Sequence, residues 1–419
     1  FMNALINKDK FIQQFPIDDR APKYIKEVDP QKIWKKIIHN AWKSAEPGIL
    51  FWDTIIRESV ADCYADLGYK TVSTNPCGEI PLCPYDSCRL LAINLYSYVD
   101  NPFTKEAKFN FDKFKKHVGY AQKMMDDIID LELEKIDQIL AKINSDPEDI
   151  EVKRVERKLW ENIRRKAEEG RRTGVGITAE GDMLAALGLT YGTDTANEFA
   201  TEVHKTLAIE ASSVNMAKER MPFMIYDSQR EKNNPFIERL RQADPEMVRE
   251  MENYGRRNIS LLTIAPTGTT SLMTQTTSGI EPVFRPFYTR RRKVNPNDPE
   301  VRVDFVDEQG DKWEEYKVFH HKFLTWLQIN KYDVEEVKNM SNDQVEELVK
   351  KSPYYKATAA DIDYLSKVRM QGAIQKWVDH SISVTINMPE NVSEEIVEEC
   401  YFEAWKCGCK GITVYREGS

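Results

Sequence analysis

Thr74-Asn75-Pro76-Cys77-Gly78-Glu79-Ile80-Pro81-Leu82, with Cys88 eleven positions after Cys77, is the stretch on which the reading of this chain turns. Pro76 and Pro81 favour an extended backbone, and along an extended backbone side chains two apart share a face. Asn75, Cys77 and Glu79 are then expected on one side, presenting an amide, a thiol and a carboxyl group. A sulfur that yields a hydrogen atom, a carboxylate that takes a proton and an amide that orients a hydroxyl suit radical chemistry on a sugar. Gly78 keeps bulk off the opposite side and admits a second backbone or a ligand. The plainer alternative is that a cysteine beside proline and glycine is a small buried hydrophobe.

Downstream, Cys88-Arg-Leu-Leu-Ala-Ile-Asn-Leu95 is a nearly continuous apolar run, the pattern of a parallel strand covered on both faces. From Phe111 to about Arg172 no glycine stands between Gly119 and Gly170, which favours long helices broken near Ser145-Asp146-Pro147, their charged residues forming a solvated face. A short strand, Thr173–Thr178, follows; Gly181 to Leu187 reads as the start of a helix, and Asp194 to about Lys218 as a long one. Ile259-Ser-Leu-Leu-Thr-Ile-Ala265 is the next buried strand and runs straight into Pro266-Thr267-Gly268-Thr269-Thr270-Ser271. A strand ending in such a turn and opening a helix offers free N–H groups, hydroxyls and the positive end of a helix dipole. A phosphate is expected there, against the alternative of an ordinary capped loop.

Upstream, Asp29-Pro30 supplies a cap and a first-turn proline for a helix with Ile33, Trp34, Ile37, Ile38, Ala41 and Trp42 on its buried face, ending at Pro47-Gly48. A second helix is expected from Asp53 to Leu67, with Cys63 in the core. Between about 285 and 360 the pattern is that of a helical insertion. Its basic run Arg290-Arg291-Arg292-Lys293 reads as a solvated surface turn leading into Asn295-Pro296-Asn297-Asp298-Pro299. His320-His321 precede an amphipathic helix, and adjacent helical residues do not share a face for metal binding. Asp361–Trp377 reads as a helix, Ser381–Asn387 as a strand, Ser393–Lys406 as a last helix and Gly411–Tyr415 as a last strand.

Strands near 89–96, 173–178, 259–265, 382–387 and 411–415, separated by helical sequence, imply an α/β fold with a parallel sheet. A length of 419 residues with 41% apolar and 30% charged residues fits a globular protein, and no apolar run approaches the ~20 residues of a membrane span. A net charge of −9 argues against a chain that coats nucleic acid. Seven cysteines, at 63, 77, 83, 88, 400, 407 and 409, are an odd number without disulfide-scaffold density and read as thiols of the cytoplasm. Cys400, Cys407 and Cys409 lack a zinc-binding spacing and have no histidine near them.

Asn75-Pro76-Cys77-Gly78-Glu79 with Cys88, and Ala265-Pro266-Thr267-Gly268-Thr269-Thr270-Ser271 after it, resemble the finger loop and the substrate-phosphate loop of ribonucleotide reductase catalytic subunits, most closely the adenosylcobalamin-dependent class II branch. The resemblance implies Cys77 as the thiyl-radical site, Glu79 as base, Asn75 as orienting amide and Cys88 as half of a redox pair. Asn75–Glu79 and Pro266–Thr270 would bind a ribonucleoside di- or triphosphate. It further implies adenosylcobalamin as cofactor, a thioredoxin- or glutaredoxin-type reductant, and a homodimer of the complete protein. The fold implied is the second half of a ten-stranded α/β barrel, with the finger at about 70–88 threading the middle of a catalytic domain that residues 1–419 hold in part. Phe1 reads as the tail of an element under way, so the family's first half, with another redox cysteine, is expected upstream; a split gene gives the same pattern. Class I subunits carry paired tyrosines near the last strand, where this chain has Gly411-Ile-Thr-Val-Tyr415-Arg416. Tyr354-Tyr355 sit in a different, polar setting, so the radical relay is expected to be absent. The family's common lysine is replaced by Val384. The rival readings are a class I large subunit and an inert nucleotide-binding fragment.

Overall fold

Five chain segments lie side by side in sequence order in the computed structural model, which describes residues 1–17, 19–295 and 302–419. Leu90–Asn94 pairs in parallel with Gly174–Thr178, in register from Leu90 opposite Gly174 to Asn94 opposite Thr178. The segment 259–265 comes next through a parallel bridge between Val175 and Leu262, with the Val175 N–H donating to Leu261 O at 2.9 Å and the Thr263 N–H to Val175 O at 3.1 Å. A further parallel bridge joins Ile264 to Ile382, and that strand continues as Thr385–Met388 in parallel with Gly411–Arg416. Ile49–Leu50 closes this edge antiparallel to Gly411 and Ile412. Parallel neighbours need long return paths, and helices supply them.

These helices stop and start where local chemistry dictates. Phe111–Ser145 is capped by the Asn110 side chain, which accepts the Lys113 N–H, and spans about 50 Å at 1.5 Å per residue. It ends just before Asp146-Pro147, since the residue before proline is driven out of the helical region. Ile150–Gly170 begins afresh with Asp149 as its cap. The charge alternation here is not solely a solvated face: Asp126 is fully buried and accepts from Arg171, Arg220 and Arg257. Asp194–Glu210 ends sooner than its periodicity predicts, and Val214–Arg220 follows after Ser213 at φ 60°. Likewise Trp52–Glu58 gives way to a 3-10 segment, Ala61–Leu67, where Cys63 is only partly buried.

Gly174–Thr178 is buried throughout, as a central parallel strand should be. Leu90–Asn94 departs from the expectation of two covered faces: Leu90 is 49% exposed, because among the described residues this strand has a neighbour on one side only. One core packs Ile93, Val175, Ile177 and Leu262 against Phe114, Val118 and Met125 of the long helix and Val203 and Leu207 of Asp194–Glu210. A second packs Ile386, Ile412 and Val414 against Trp34, Ile38 and Ala41 of Pro30–Ser44 and Val397 and Tyr401 of Glu394–Lys406. Each fully buried aliphatic side chain contributes roughly 1.5–3 kcal/mol.

The 285–360 segment is not wholly helical. It opens with an antiparallel sheet in which Phe287–Lys293 pairs with Lys312–Phe319, and only then come His321–Ile329, Val334–Asn339 and Asn342–Val349. The basic run lies along the first of these strands rather than at a turn; Arg291 faces Glu315 at 2.8 Å and Arg292 faces Glu314 at 2.6 Å. Residues 296–299 of the expected turn lie outside the described residues. Tyr354, expected in a polar setting, is buried, and its hydroxyl donates to Asp182 Oδ1 at 2.7 Å. His320 Nε2 reaches the same oxygen at 2.7 Å and the Thr277 N–H donates to Oδ2 at 2.7 Å. One carboxylate on the helix Glu180–Ala186 thereby pins the insertion to the sheet. Among the described residues no helix is long and apolar enough to cross a membrane.

Beside Asp182, Glu180 is fully buried and neither carboxyl oxygen has a hydrogen-bond partner; His204 Nε2 lies 3.5 Å from Oε2. Burial raises the Glu180 carboxyl to about 8, so the folded chain keeps it protonated while the unfolded chain ionises it near 4.5. A group whose folded value is raised contributes stability that is complete below the unfolded value and is lost as pH rises towards the folded one. Glu180→Gln, which keeps the neutral shape, is therefore expected to be more stable than the parent at pH 8. The gain should approach about 1.4 kcal/mol per unit of separation and vanish near pH 4, as urea unfolding at the two pH values will show.

Candidate active site

The finger is a hairpin. Ser73–Thr74 pairs antiparallel with Pro81–Leu82, and Asn75 to Ile80 form its tip. The Asn75 N–H donates to Ile80 O at 3.2 Å, the Asn75 Oδ1 accepts the Ile80 N–H at 3.0 Å, and the Gly78 N–H donates to Asn75 O at 3.1 Å. Asn, Pro and Gly thus occupy the first, second and fourth places of a β-turn, where each is favoured. The expected extended backbone, with residues 75, 77 and 79 alternating to one face, is not what forms. Proline fixes φ near −65° in a turn as readily as in a strand, and the Asn75 side chain closes the loop. Gly78, at φ 79°, then turns the chain inward with its Cα facing Leu50.

Glu79 is carried into the sheet by this turn. Its carbonyl oxygen accepts from Thr263 Oγ1 at 2.7 Å and from the Ser381 N–H at 2.9 Å, which docks the finger across two neighbouring strands. Its side chain is 2% exposed, and Oε2 has no hydrogen-bond partner. A buried carboxyl oxygen without a partner is costly, so it marks a place built for something else to bind.

That place is a cleft of about 390 Å³. Glu79, Leu91, Gly174, Gly176 and Thr263 line it together with Pro266, Thr267, Gly268, Thr269 and Thr270. Its size falls in the usual range for small-ligand sites, and it opens where the bridged segment 259–265 ends, the usual position of ligands on parallel sheets. Thr267 Oγ1 accepts the Gly279 N–H at 2.7 Å and lies 3.1 Å from Thr178 Oγ1, which holds the loop to the next strand. The helix Gly268–Thr274 makes its first internal bond from the Ser271 N–H to Thr267 O, so the N–H groups before it are left without intrahelical acceptors. Gly268, Thr269 and Thr270 are exposed.

Of the residues singled out from sequence, Glu79 and Pro266–Thr270 meet in this cleft; Asn75, Pro76, Cys77, Gly78 and Cys88 are not part of its lining. Cys77 is exposed at the hairpin tip two residues from Glu79. Burial and the Glu79 carboxylate raise its thiol above the ordinary range, keeping it as S–H at neutral pH, the form from which a hydrogen atom can be taken. The Cys88 sulfur packs against Gly174 of the cleft lining: a Cβ added there would lie 2.6 Å from it. The wall residues Gly174 and Gly176 were overlooked in the sequence, although two glycines at a spacing of two in Thr173-Gly-Val-Gly-Ile-Thr178 signal a strand face kept clear for a close neighbour. All seven cysteines are free, and among the described residues no three of His, Cys, Asp and Glu are grouped to hold a metal ion.

The family model described as "Ribonucleotide reductase, barrel domain" matches residues 8–415. The chain belongs to the ribonucleotide reductase barrel-domain family. Among relatives of this family, the vitamin B12-dependent ribonucleoside-diphosphate reductase of Thermoplasma acidophilum is 32% identical over 406 residues, covering 96% of this chain and 44% of that protein. The enzyme of the same name from Mycobacterium tuberculosis is 29% identical over 413 residues, covering 96% of this chain and 49% of that protein. The chain thus spans about half the length of these relatives. Among solved structures, the class Id ribonucleotide reductase alpha subunit of Actinobacillus ureae matches with a TM-score of 0.63 at 19% identity, over 93% of this chain and 62% of that one. The likeness shows the shared reductase fold.

Proposed function

We propose that this chain is the finger-bearing half of a ribonucleotide reductase that converts ribonucleoside diphosphates to deoxyribonucleotides, with adenosylcobalamin as the radical source. The observation that carries the reading is Glu79: a residue with a buried carboxyl oxygen that has no partner, in the lining of a cleft that the Pro266–Thr270 loop also lines. The names of the relatives at 32% and 29% identity support both the diphosphate and the cofactor. The five strands are one half of a ten-stranded barrel, the remainder supplied by the part of the relatives' length that this chain does not span. The exposed Leu90 edge supports that closure.

In this reading the nucleotide's phosphates lie on Thr267–Thr270 and its ribose extends over Gly174 and Gly176 towards the finger. Once oxidised to a thiyl radical, Cys77 takes the 3′ hydrogen atom of the ribose, and Glu79 receives the 3′-hydroxyl proton. Water leaves from C2′ with a proton from the redox pair of Cys88 and a second cysteine, which end as a disulfide. Asn75 orients the finger tip by closing its turn as well as by any bond to the sugar. Binding the substrate at both ends supplies the alignment that makes the transfer effectively intramolecular.

Adenosylcobalamin, when bound, supplies the radical that oxidises Cys77. Beside the first cleft, a second, open cleft of about 770 Å³ shares Gly268 and Thr269 with it and could take part of so large a group. Leu272, Phe284, Tyr288, Phe319 and His321 line it and would hold that part. Free thiols throughout are consistent with work in the cytoplasm and with re-reduction of the pair by a thioredoxin- or glutaredoxin-type protein. The complete protein is proposed to act as a homodimer. The test is deoxynucleotide formation by the complete protein from a ribonucleoside diphosphate and a dithiol, with and without adenosylcobalamin. Turnover only with the cofactor is expected; turnover that instead needs a metal-containing partner subunit would contradict the reading.

A further inference from the structure

A hollow of about 330 Å³ lies between the long helix Phe111–Ser145 and segment 210–219, and it shares no lining residue with the two clefts described above. Gly119, the only glycine of that helix, is part of its lining, and a Cβ added there would meet nothing within 4 Å. Glycine weakens a helix interior, and no close neighbour requires one here. Its effect is to leave the helix side of the hollow bare. Around it stand Lys115, Lys116 and Lys123 and the exposed ring of Tyr120.

The polar groups of this hollow are unequally satisfied. Lys123 is bridged to Glu219, also in the lining, at 3.0 Å. Among the described residues Lys115 and Lys116 form no ion pair, and Lys116 Nζ lies 5.8 Å from the centre of the Tyr120 ring. Burial pushes the Glu210 carboxyl up; Lys115 is near enough to pull it the other way, and Asp244 adds to the rise. Gln122, 1% exposed, is the buried member of the lining. Its Nε2 donates to Thr173 Oγ1 at 2.8 Å and to Asn258 Oδ1 at 3.1 Å. The Asn258 oxygen can only accept, because its Nδ2 donates to Asp126 Oδ1 at 3.0 Å and to Arg171 O at 2.9 Å. The Gln122 amide is therefore fixed in orientation, and Oε1 is left without a hydrogen-bond partner.

We propose that this hollow is a second binding site, for a nucleoside phosphate, with the phosphate on Lys115 and Lys116, a ring on Tyr120, and hydrogen-bond donors of base or sugar turned to Glu210 and the Gln122 amide oxygen. The mixture of groups selects this class. A bare inorganic anion answers the two lysines but gives nothing to Tyr120 and is repelled by Glu210. An apolar ligand leaves both lysines and the amide oxygen unanswered. A nucleoside phosphate carries an anion, a flat ring that stacks on an aromatic side chain, and N–H and O–H donors in one molecule, and the hollow has the size of a small-ligand site. The site stands apart from the reductase chemistry, since none of its residues lines either cleft.

Acetylation of Lys115 and Lys116 in the complete protein, followed residue by residue by mass spectrometry, reads this hollow without turnover. Saturating ADP is expected to slow acetylation at both lysines several-fold and to leave Lys43, exposed on the helix Pro30–Ser44, unchanged. Pyrophosphate at the same concentration should protect them much less. Gly119→Leu fills the bare side of the helix and is expected to abolish the protection by ADP without lowering the urea midpoint. Tyr120→Ala, which removes an exposed ring, should reduce protection by ADP to that given by pyrophosphate. Lysines that acetylate equally fast with and without ADP overturn the proposal, and so does pyrophosphate protecting as well as ADP, which marks an ion site only. Full protection by ADP in Tyr120→Ala overturns it even if Gly119→Leu fails to fold.

Discussion

Cys77→Ser in the complete protein is expected to bind a ribonucleoside diphosphate as the parent does and to form no deoxynucleotide. Serine preserves the size of the side chain and the hairpin turn, whose hydrogen bonds come from the backbone and from Asn75. It replaces a weak S–H bond with a strong O–H bond that cannot enter the same radical exchange. Glu79→Gln sharpens the contrast. Its amide leaves the docking bonds from Thr263 and Ser381 in place, since those end on the backbone carbonyl, but it cannot accept a proton. Turnover should fall about 10²- to 10⁴-fold, the usual cost of losing a general base, with nucleotide affinity changed much less. Measured together, the two variants separate radical transfer from proton transfer. Retained turnover in the serine variant would remove Cys77 from the chemistry.

Gly176→Ala is expected to destabilise the protein by about 3 kcal/mol or more. A Cβ built there would stand 2.1 Å from the Thr263 carbonyl oxygen, a backbone atom that no rotamer change can move aside. Relief requires separating Gly174–Thr178 from segment 259–265, which breaks the Thr263–Val175 bond and draws Thr263 away from the Glu79 carbonyl. The substitution should therefore lower the urea midpoint and open the cleft beside Glu79 together. Gly119→Ala is the internal control. That glycine lies in the long helix with nothing within 4 Å of an added Cβ, so alanine should stabilise by roughly 0.5–1 kcal/mol. Equal effects at the two positions would show that the strand contact is not what Gly176 protects.

Much of this frame was legible in the sequence because its signals are local. Asp29-Pro30, Ser145-Asp146-Pro147 and the apolar runs at 90–94, 174–178 and 411–416 act through caps, φ restriction and burial, and each element formed where those forces place it. The errors lie where distant residues decide. Pro76 serves a strand and a turn alike, and only the closing bonds between Asn75 and Ile80 select the hairpin. Arg290–Lys293 keeps its expected exposure to solvent but lies on a strand rather than at a turn, where Glu315 and Glu314 of the facing strand, and Asp311 just before it, pair with Arg291, Arg292 and Lys293. Tyr354 looks polar beside lysines and serine, yet Asp182, far away in sequence, gives its hydroxyl a buried partner. The site divides in the same way. The finger and the Pro266–Thr270 loop declare themselves by residue type, whereas the glycine wall acquires meaning only through close approach across strands.

The account stands on one nucleotide bridging the Pro266–Thr270 loop and the finger. A crystal structure of the complete protein with a ribonucleoside diphosphate measures this directly. The account predicts phosphate oxygens within hydrogen-bond distance of the N–H groups or hydroxyls of Thr267–Thr270, and the ribose 3′ position against Cys77 and Glu79. A diphosphate seated elsewhere, or a ribose separated from Cys77 by packed side chains, would contradict it.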